Sequence, residues 1–235
     1  MPLVYMMAGV SLVLPVLILV MTTMMGGETD LPTGAEAVET FTNVRQSIGT
    51  AGGESATGLA GMCNVNMIYF LIAVFVCIFV ADDYRSGYVK NLFAVRAGRT
   101  DYCVSKTVVG FVGGTIFFLL YLIGTLIGGE IAGLSFSSGS AGAGGIVFCM
   151  LAKIFLGDVF TSIALLAGVA AKQKLWLSVL LSLAVGMLLY MMIPAITPLD
   201  STFFNVVLFL AGGVLFAAGL GAVSRTVLRK TDVLS

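Results

Sequence analysis

Apolar residues in this chain come in long unbroken runs, separated by short polar segments. Six runs stand out: Leu3–Met25, Met62–Ala81, Thr107–Ile127, Ile146–Ala171, Leu175–Ile196 and Phe203–Val223. A helix rises ~1.5 Å per residue, so ~20 apolar residues cross the ~30 Å of hydrocarbon in a bilayer. Each run is near or above that length, and none alternates as a barrel strand would. The pattern predicts an all-α membrane protein, a six-transmembrane-helix bundle forming one transmembrane domain over residues 1–235. The first run has no basic residues ahead of it and is longer than the apolar region of a signal peptide, so it reads as a true span.

Composition agrees with lipid as the main solvent. The 235 residues are 59% hydrophobic and only 10% charged, and mean hydropathy is +1.07. A soluble domain carries about 25% charged residues. The basic residues are unevenly placed. Arg85, Lys90, Arg96, Arg99 and Lys106 follow the second run, Lys172 and Lys174 precede the fifth, and Arg225, Arg229 and Lys230 close the chain. The alternate connections hold only Arg45. Ten basic residues against one predict, by the positive-inside rule, a multi-pass protein of the cell membrane with both termini cytoplasmic.

Two outer loops are then expected. Residues 26–61 are rich in Gly, Thr, Ala and acidic residues and read as a solvated, partly flexible linker, or else as a lid on the outer face. Residues 128–145, with their SFSSGSAGAGG stretch, read as a flexible loop. Small residues at close-packing spacing, Gly110/Gly114, Gly124/Gly128 and Gly129/Gly133, with Gly212/Gly213 and Gly219/Gly221 in the last run, predict tight helix contacts. Pro194 and Pro198 mark a break at the outer end of the fifth run.

Candidate chemistry is sparse. The chain has no histidine, and Cys63, Cys77, Cys103 and Cys149 form no C-x-x-C pair, which argues against a metal site, a haem attachment or histidine-based catalysis. No phosphate-cradling G-x-x-x-x-G-K-[ST] loop occurs, nor H-E-x-x-H nor G-x-S-x-G, so no catalytic residue is expected and any nucleotide energy must come from another chain. Charges within spans are costly and mark functional positions, which makes Lys153 and Asp158 of the fourth run the substrate-path candidates. Their i,i+5 spacing sets them ~140° apart on a helix. Lys153 reads as a lysine snorkelling to the outer headgroups, and Asp158 as a carboxylate facing the bundle interior.

The informative polar segment is Ala81–Lys106, ADDYRSGYVKNLFAVRAGRTDYCVSK. Asp82 and Asp83 are expected near the start of a short helix, suiting its positive end, with an apolar side of Tyr88, Leu92, Phe93 and Val95. Gly98 is expected to end that helix, with Arg96 and Arg99 beside its negative end.

This segment resembles the signature of type-2 ABC transporter permeases, especially the small separate-subunit group of bacitracin-type and lantibiotic-immunity exporters. In that family the second span leads into an acidic residue, an aromatic, a Gly-x-x-Lys-Asn step, an Arg, and a Lys that opens the third span. The matching positions are Asp82 or Asp83, Tyr84, Gly87, Lys90, Asn91, Arg99 and Lys106, with Arg85, Tyr88 and Leu92 in the same stretch. Tyr88 stands where threonine is more usual. Family members carry an N-terminal cytoplasmic or interfacial segment, whereas the first run here begins at Leu3, which implies a divergent member or a segment this chain does not carry.

The resemblance implies a short cytoplasmic coupling helix between helices 2 and 3, docking into a nucleotide-binding subunit. It implies ABC ATPase subunits and a second permease copy or homologous permease as partners, with ATP and magnesium held by the ATPase and no cofactor in this chain. No nucleic acid is implied. The expected function is ATP-driven export or extraction of an amphipathic substrate, an antimicrobial peptide or a lipid. The other readings of the same pattern are a non-transporting assembly or sensor protein that recruits a cytoplasmic partner, and a secondary transporter.

Overall fold

The computed structural model describes residues 2–26, 41, 43–49, 64–94, 98–136, 142–172, 174–190, 192–193, 197–199 and 201–230. Among these, every regular element is helical. We number the α-helices α1 (Pro2–Gly26), α2 (Ile68–Arg85), α3 (Tyr88–Ala94), α4 (Arg99–Ile131), α5 (Gly142–Ala171), α6 (Leu175–Tyr190) and α7 (Phe203–Lys230). Two 3-10 turns, Val44–Ser47 and Val65–Met67, precede α2.

Among the described residues, five stretches are long and apolar enough to cross a membrane: Leu3–Met24, Val65–Arg85, Arg99–Ile131, Gly144–Ala171 and Phe203–Arg229. The chain is therefore a helical multi-pass membrane protein. The run expected to span from Leu175 to Ile196 instead forms the 16-residue α6, which ends at Tyr190. At ~1.5 Å per residue α6 covers ~24 Å, less than the ~30 Å of hydrocarbon.

The chain divides into two compact units. The first comprises Met1–Ile68, Ile116–Lys153 and Met192–Val206. Here α1 lies against the C-terminal part of α4, and two glycines set the separation. A Cβ on Gly124 would strike the Leu12 carbonyl oxygen, and one on Gly128 would sit 2.9 Å from the Val16 Cα. That is the close approach expected of this pair.

The described part of the 26–61 connection is not a solvated linker. Phe41, Val44 and Ile48 are all buried, and Gly129 faces the Val44 side chain. Asn43 caps the turn, accepting from the Arg45 N–H, while the Gln46 side chain accepts from the Asn43 N–H. The apolar residues scattered through a Gly-rich stretch thus find a core to enter. Residues 27–40, 42 and 50–61 of that connection lie outside the described residues.

The second connection is shorter than its composition predicts. Helix α4 continues to Ile131 and α5 begins at Gly142. Gly133 is not a packing partner of Gly129. It stands at φ +68°, where an added Cβ would meet no described residue within 4 Å, and it terminates α4 as a helix C-cap, with Leu134 N–H donating to the Gly129 carbonyl at 2.9 Å.

The second unit comprises Tyr69–Thr115, Ile154–Met191 and Val207–Ser235. Its core forms where α2, α4 and α5 pack through small residues. A Cβ on Gly110 would lie 2.5 Å from Thr161 Cγ2, one on Gly114 would lie 2.9 Å from Ile72, and one on Gly168 would lie 2.9 Å from Val80. Tyr69 stacks on Phe160 with ring centroids 4.6 Å apart. Helix α6 buries Ser178, Ser182 and Gly186, a stripe at i,i+4 spacing. By contrast a Cβ on Gly212, Gly219 or Gly221 of α7 would meet no described residue within 4 Å, so these glycines are not packing contacts among the described residues. Helix α7 is the least enclosed of the long helices, with 11% of its apolar window buried.

Candidate functional site

The structure describes the polar stretch after the second apolar run from Ala81 to Ala94 and from Gly98 to Lys106. Helix α2 runs on past its apolar residues, because nothing in Asp82–Arg85 stops its backbone bonds. Ser86 N–H donates to the Asp82 carbonyl at 2.9 Å and Gly87 N–H to the Tyr84 carbonyl at 3.3 Å. Gly87 then takes φ +73°, a conformation glycine adopts without cost, and turns the chain. Its carbonyl accepts from Asn91 N–H at 3.1 Å, the first bond of α3.

Two expectations are corrected here. Asp82 and Asp83 occupy the last turn of α2 and do not open the short helix. Gly98 does not end α3, which stops at Ala94. Gly98 instead precedes α4, accepting from Asp101 and Tyr102 N–H at 3.0 and 3.2 Å. Arg99 is accordingly the first residue of α4, and Lys106 lies inside that helix. The reason is that Tyr102, Cys103 and Lys106 turn one buried face to the core, so the helix starts well before the run of apolar residues does. Val95 and Arg96 lie outside the described residues.

One ion pair organises the segment. Lys106 Nζ lies 2.5 Å from Asp83 Oδ2, and the Tyr102 hydroxyl donates to the same oxygen at 3.0 Å. Tyr102 and Lys106 are one turn apart on α4, as Phe79 and Asp83 are on α2, so two helical faces meet in register. The Lys106 ammonium sits 3.5 Å from the centre of the Phe79 ring, with the Tyr88 and Tyr102 rings at 5.9 and 5.6 Å.

The short helix is held by the same group. Val89 is fully buried, Phe93 meets Tyr102 edge to face at 6.0 Å, and the Arg99 guanidinium lies 5.6 Å over the Phe93 ring. Leu92 is half-buried beside them. Among the described residues the other side of this segment is open: Asp82, Arg85, Lys90 and Asn91 are exposed, and so in part are Arg99 and Tyr88, the latter 49% exposed. Tyr84 and Gly87 are intermediate.

The residues singled out in the sequence therefore divide. Asp83, Tyr88, Arg99 and Lys106 come together in one aromatic-lined cluster. Asp82, Arg85, Lys90 and Asn91 stand outward from it. Phe93, expected on the apolar side of the short helix, completes the cluster together with Phe79 and Tyr102, which were not read from the sequence. Their only signal is the i,i+4 spacing of Phe79/Asp83 and Tyr102/Lys106, which has meaning only once both helices are known to extend so far.

The two intramembrane charges behave differently from each other. Lys153, in the first unit, does not snorkel. It is 1% exposed, and its Nζ donates to Asn66 Oδ1 at 2.6 Å and to Thr197 Oγ1 at 3.1 Å. The Thr197 hydroxyl in turn donates to the Ile193 carbonyl at 2.9 Å. A lysine can be held inside only by such oxygens. Asp158, in the second unit, has its Oδ1 buried without a hydrogen-bond partner among the described residues, and the side chain lines a groove between α4 and α7.

Compared with protein-family models, with curated proteins and with solved structures, the chain matches none. Its fold and its polar cluster define a class rather than a family: a helical multi-pass membrane protein with an ordered, amphipathic helical turn between two long helices.

Proposed function

We propose that this chain is the membrane-spanning permease subunit of an ATP-driven exporter, working with separate ABC ATPase subunits and a second permease. The observation that carries this reading is the α2–α3–α4 segment. A polar connection with no mechanical role would need neither an ion pair between its two ends nor a helix pinned by three aromatic rings. Here the ion pair joins α2 to α4, α3 meets α4 through Phe93 and Tyr102, and Lys90 and Asn91 stand outward with Tyr88 half exposed. A push on that exposed side is transmitted directly to α2 and α4.

In this reading the segment is cytoplasmic, as the basic residues around it favour. Helix α6 supplies the sixth crossing together with the residues that follow it, which places both termini in the cytoplasm. ATP and magnesium act in the partner. Closure of the ATPases moves α3 and with it the paired helices, so that the bundle alternates between inward-open and outward-open states. The cargo is amphipathic, an antimicrobial peptide or a lipid. The resemblance of Asp83, Tyr84, Gly87, Lys90, Asn91, Arg99 and Lys106 to the type-2 permease signature supports the same reading.

The test is to co-express the chain with candidate ABC ATPases, those from adjacent genes first, and to measure association and stimulated ATP hydrolysis in liposomes. Gly87→Arg combined with Lys90→Glu is expected to abolish both. An unchanged complex with unchanged hydrolysis would remove the ATPase from the account. Recruitment of a partner without ATPase activity would then favour an assembly or sensor protein.

A further inference from the structure

Asp158 faces one of two adjoining cavities in the second unit, of about 410 and 260 Å³, and contributes to the lining of both. Thr107 and Val108 of α4 and Val214 of α7 are shared with it, so Asp158 sits where the two meet. The larger falls in the ~300–1,000 Å³ range of small-molecule sites. The walls are mostly apolar. Val104 and Val108 stand on one side, and on the other Ala217, Ala218 and Ala222 keep the space open by lacking bulk.

Within that apolar setting the carboxylate is the one strongly polar group at the junction. Its Oδ1 is buried and accepts no hydrogen bond from any described residue. A carboxylate removed from water needs a cation or donors. The positive group that lines the same groove is Arg225, which is exposed. Gly213 is the α7 residue beside Asp158, a Cβ there lying 3.7 Å from Oδ2. Arg225 follows Gly213 by twelve residues, about 18 Å along the helix. No ion pair joins Arg225 to Asp158 among the described residues.

We infer that this groove binds a small amphipathic monocation, its ammonium against Asp158 and its apolar part along α4 and α7. The inference takes from the permease reading only that the chain handles amphipathic molecules, and it narrows that class to cations. It concerns binding by this chain alone, so it stands or falls without the ATPase.

The experiment uses the full chain in nanodiscs, equilibrium dialysis with radiolabelled tetraphenylphosphonium, and subtraction of empty discs. Saturable binding is expected. Asp158→Asn should weaken it by about tenfold or more, as removal of one partner of a desolvated charge pair does, while Asp158→Glu stays within about threefold. Ala218→Phe, which keeps the carboxylate and fills the groove, should abolish binding. Dodecylammonium should displace the probe and dodecanol should not. Equal affinity in Asp158→Asn, undiminished binding in Ala218→Phe, or equal displacement by dodecanol would each overturn the proposal. A disulfide-linked dimer through Ala218→Cys, with no cation binding in the unmodified chain, would overturn it in favour of a second copy's helix in the groove.

Discussion

Asp83 and Asp158 belong to the same compact unit, and each lies on a long helix, yet they are used in opposite ways. Asp83 is saturated: Lys106 and the Tyr102 hydroxyl converge on one oxygen, and three aromatic rings close around the ammonium. Asp158 offers a buried oxygen to a cavity and receives nothing from the described residues. A satisfied charge fixes geometry, and an unsatisfied one invites a ligand. That difference separates a paired charge that joins two helices from a carboxylate left open to a cavity.

The sharpest way to break this comparison is to remove both charges in turn and measure stability. Asp83→Ala leaves the Lys106 ammonium buried without its partner, and the loss of one member of a buried pair costs about 3–5 kcal/mol. The expected result is a marked drop in the SDS fraction needed to unfold the protein, partly restored in Asp83→Leu with Lys106→Met. The next effect tests whether a buried lysine on neutral oxygens is held in the same way. Lys153→Met strips the Asn66 and Thr197 oxygens of a donor, and about 1–3 kcal/mol should be lost in the same titration. Tyr102→Phe removes one hydrogen bond from Asp83 and keeps the ion pair, so about 1 kcal/mol is expected, with no change in expression or extraction. Asp158→Asn should be the mildest, within about 0.5 kcal/mol of the native chain, because no hydrogen bond is lost. If Asp158→Asn destabilised as much as Asp83→Ala, the contrast between the two carboxylates would be wrong.

Much of the fold was readable because lipid is an exacting solvent. Long apolar runs announced the helices, and the Gly110, Gly114, Gly124 and Gly128 contacts followed from their spacing. What the runs did not announce was where helices stop in polar territory. Asp82–Arg85 continue α2, and Arg99–Lys106 begin α4, because backbone hydrogen bonding persists until a residue such as Gly87 releases it. Apolarity marks the membrane, not the helix end. The reverse holds at α6, where the apolar run continues to Ile196 while the helix ends at Tyr190.

The candidate sites were legible as residues and not as arrangements. Asp83, Lys106 and Asp158 stood out as charges in unusual places, but their partners lie on other helices. Tyr102 reads in isolation as an ordinary aromatic near an interface. Lys153 was misplaced for a related reason: depth along a helix predicts whether a lysine can reach water, but not whether Asn66 and Thr197 hold it inside. The groove beside Asp158 required α4 and α7 to be set side by side before its walls existed.

The central claim is that the exposed side of α3 receives an ATPase, and site-specific photocrosslinking from position 90 tests it most directly. With a photoreactive residue in place of Lys90, in membranes that contain the co-expressed ABC ATPase, the account predicts a crosslink to that ATPase. The crosslink should disappear when Gly87→Arg is added. A crosslink that survives Gly87→Arg, or one that reaches only lipid or a second copy of this chain, would contradict it.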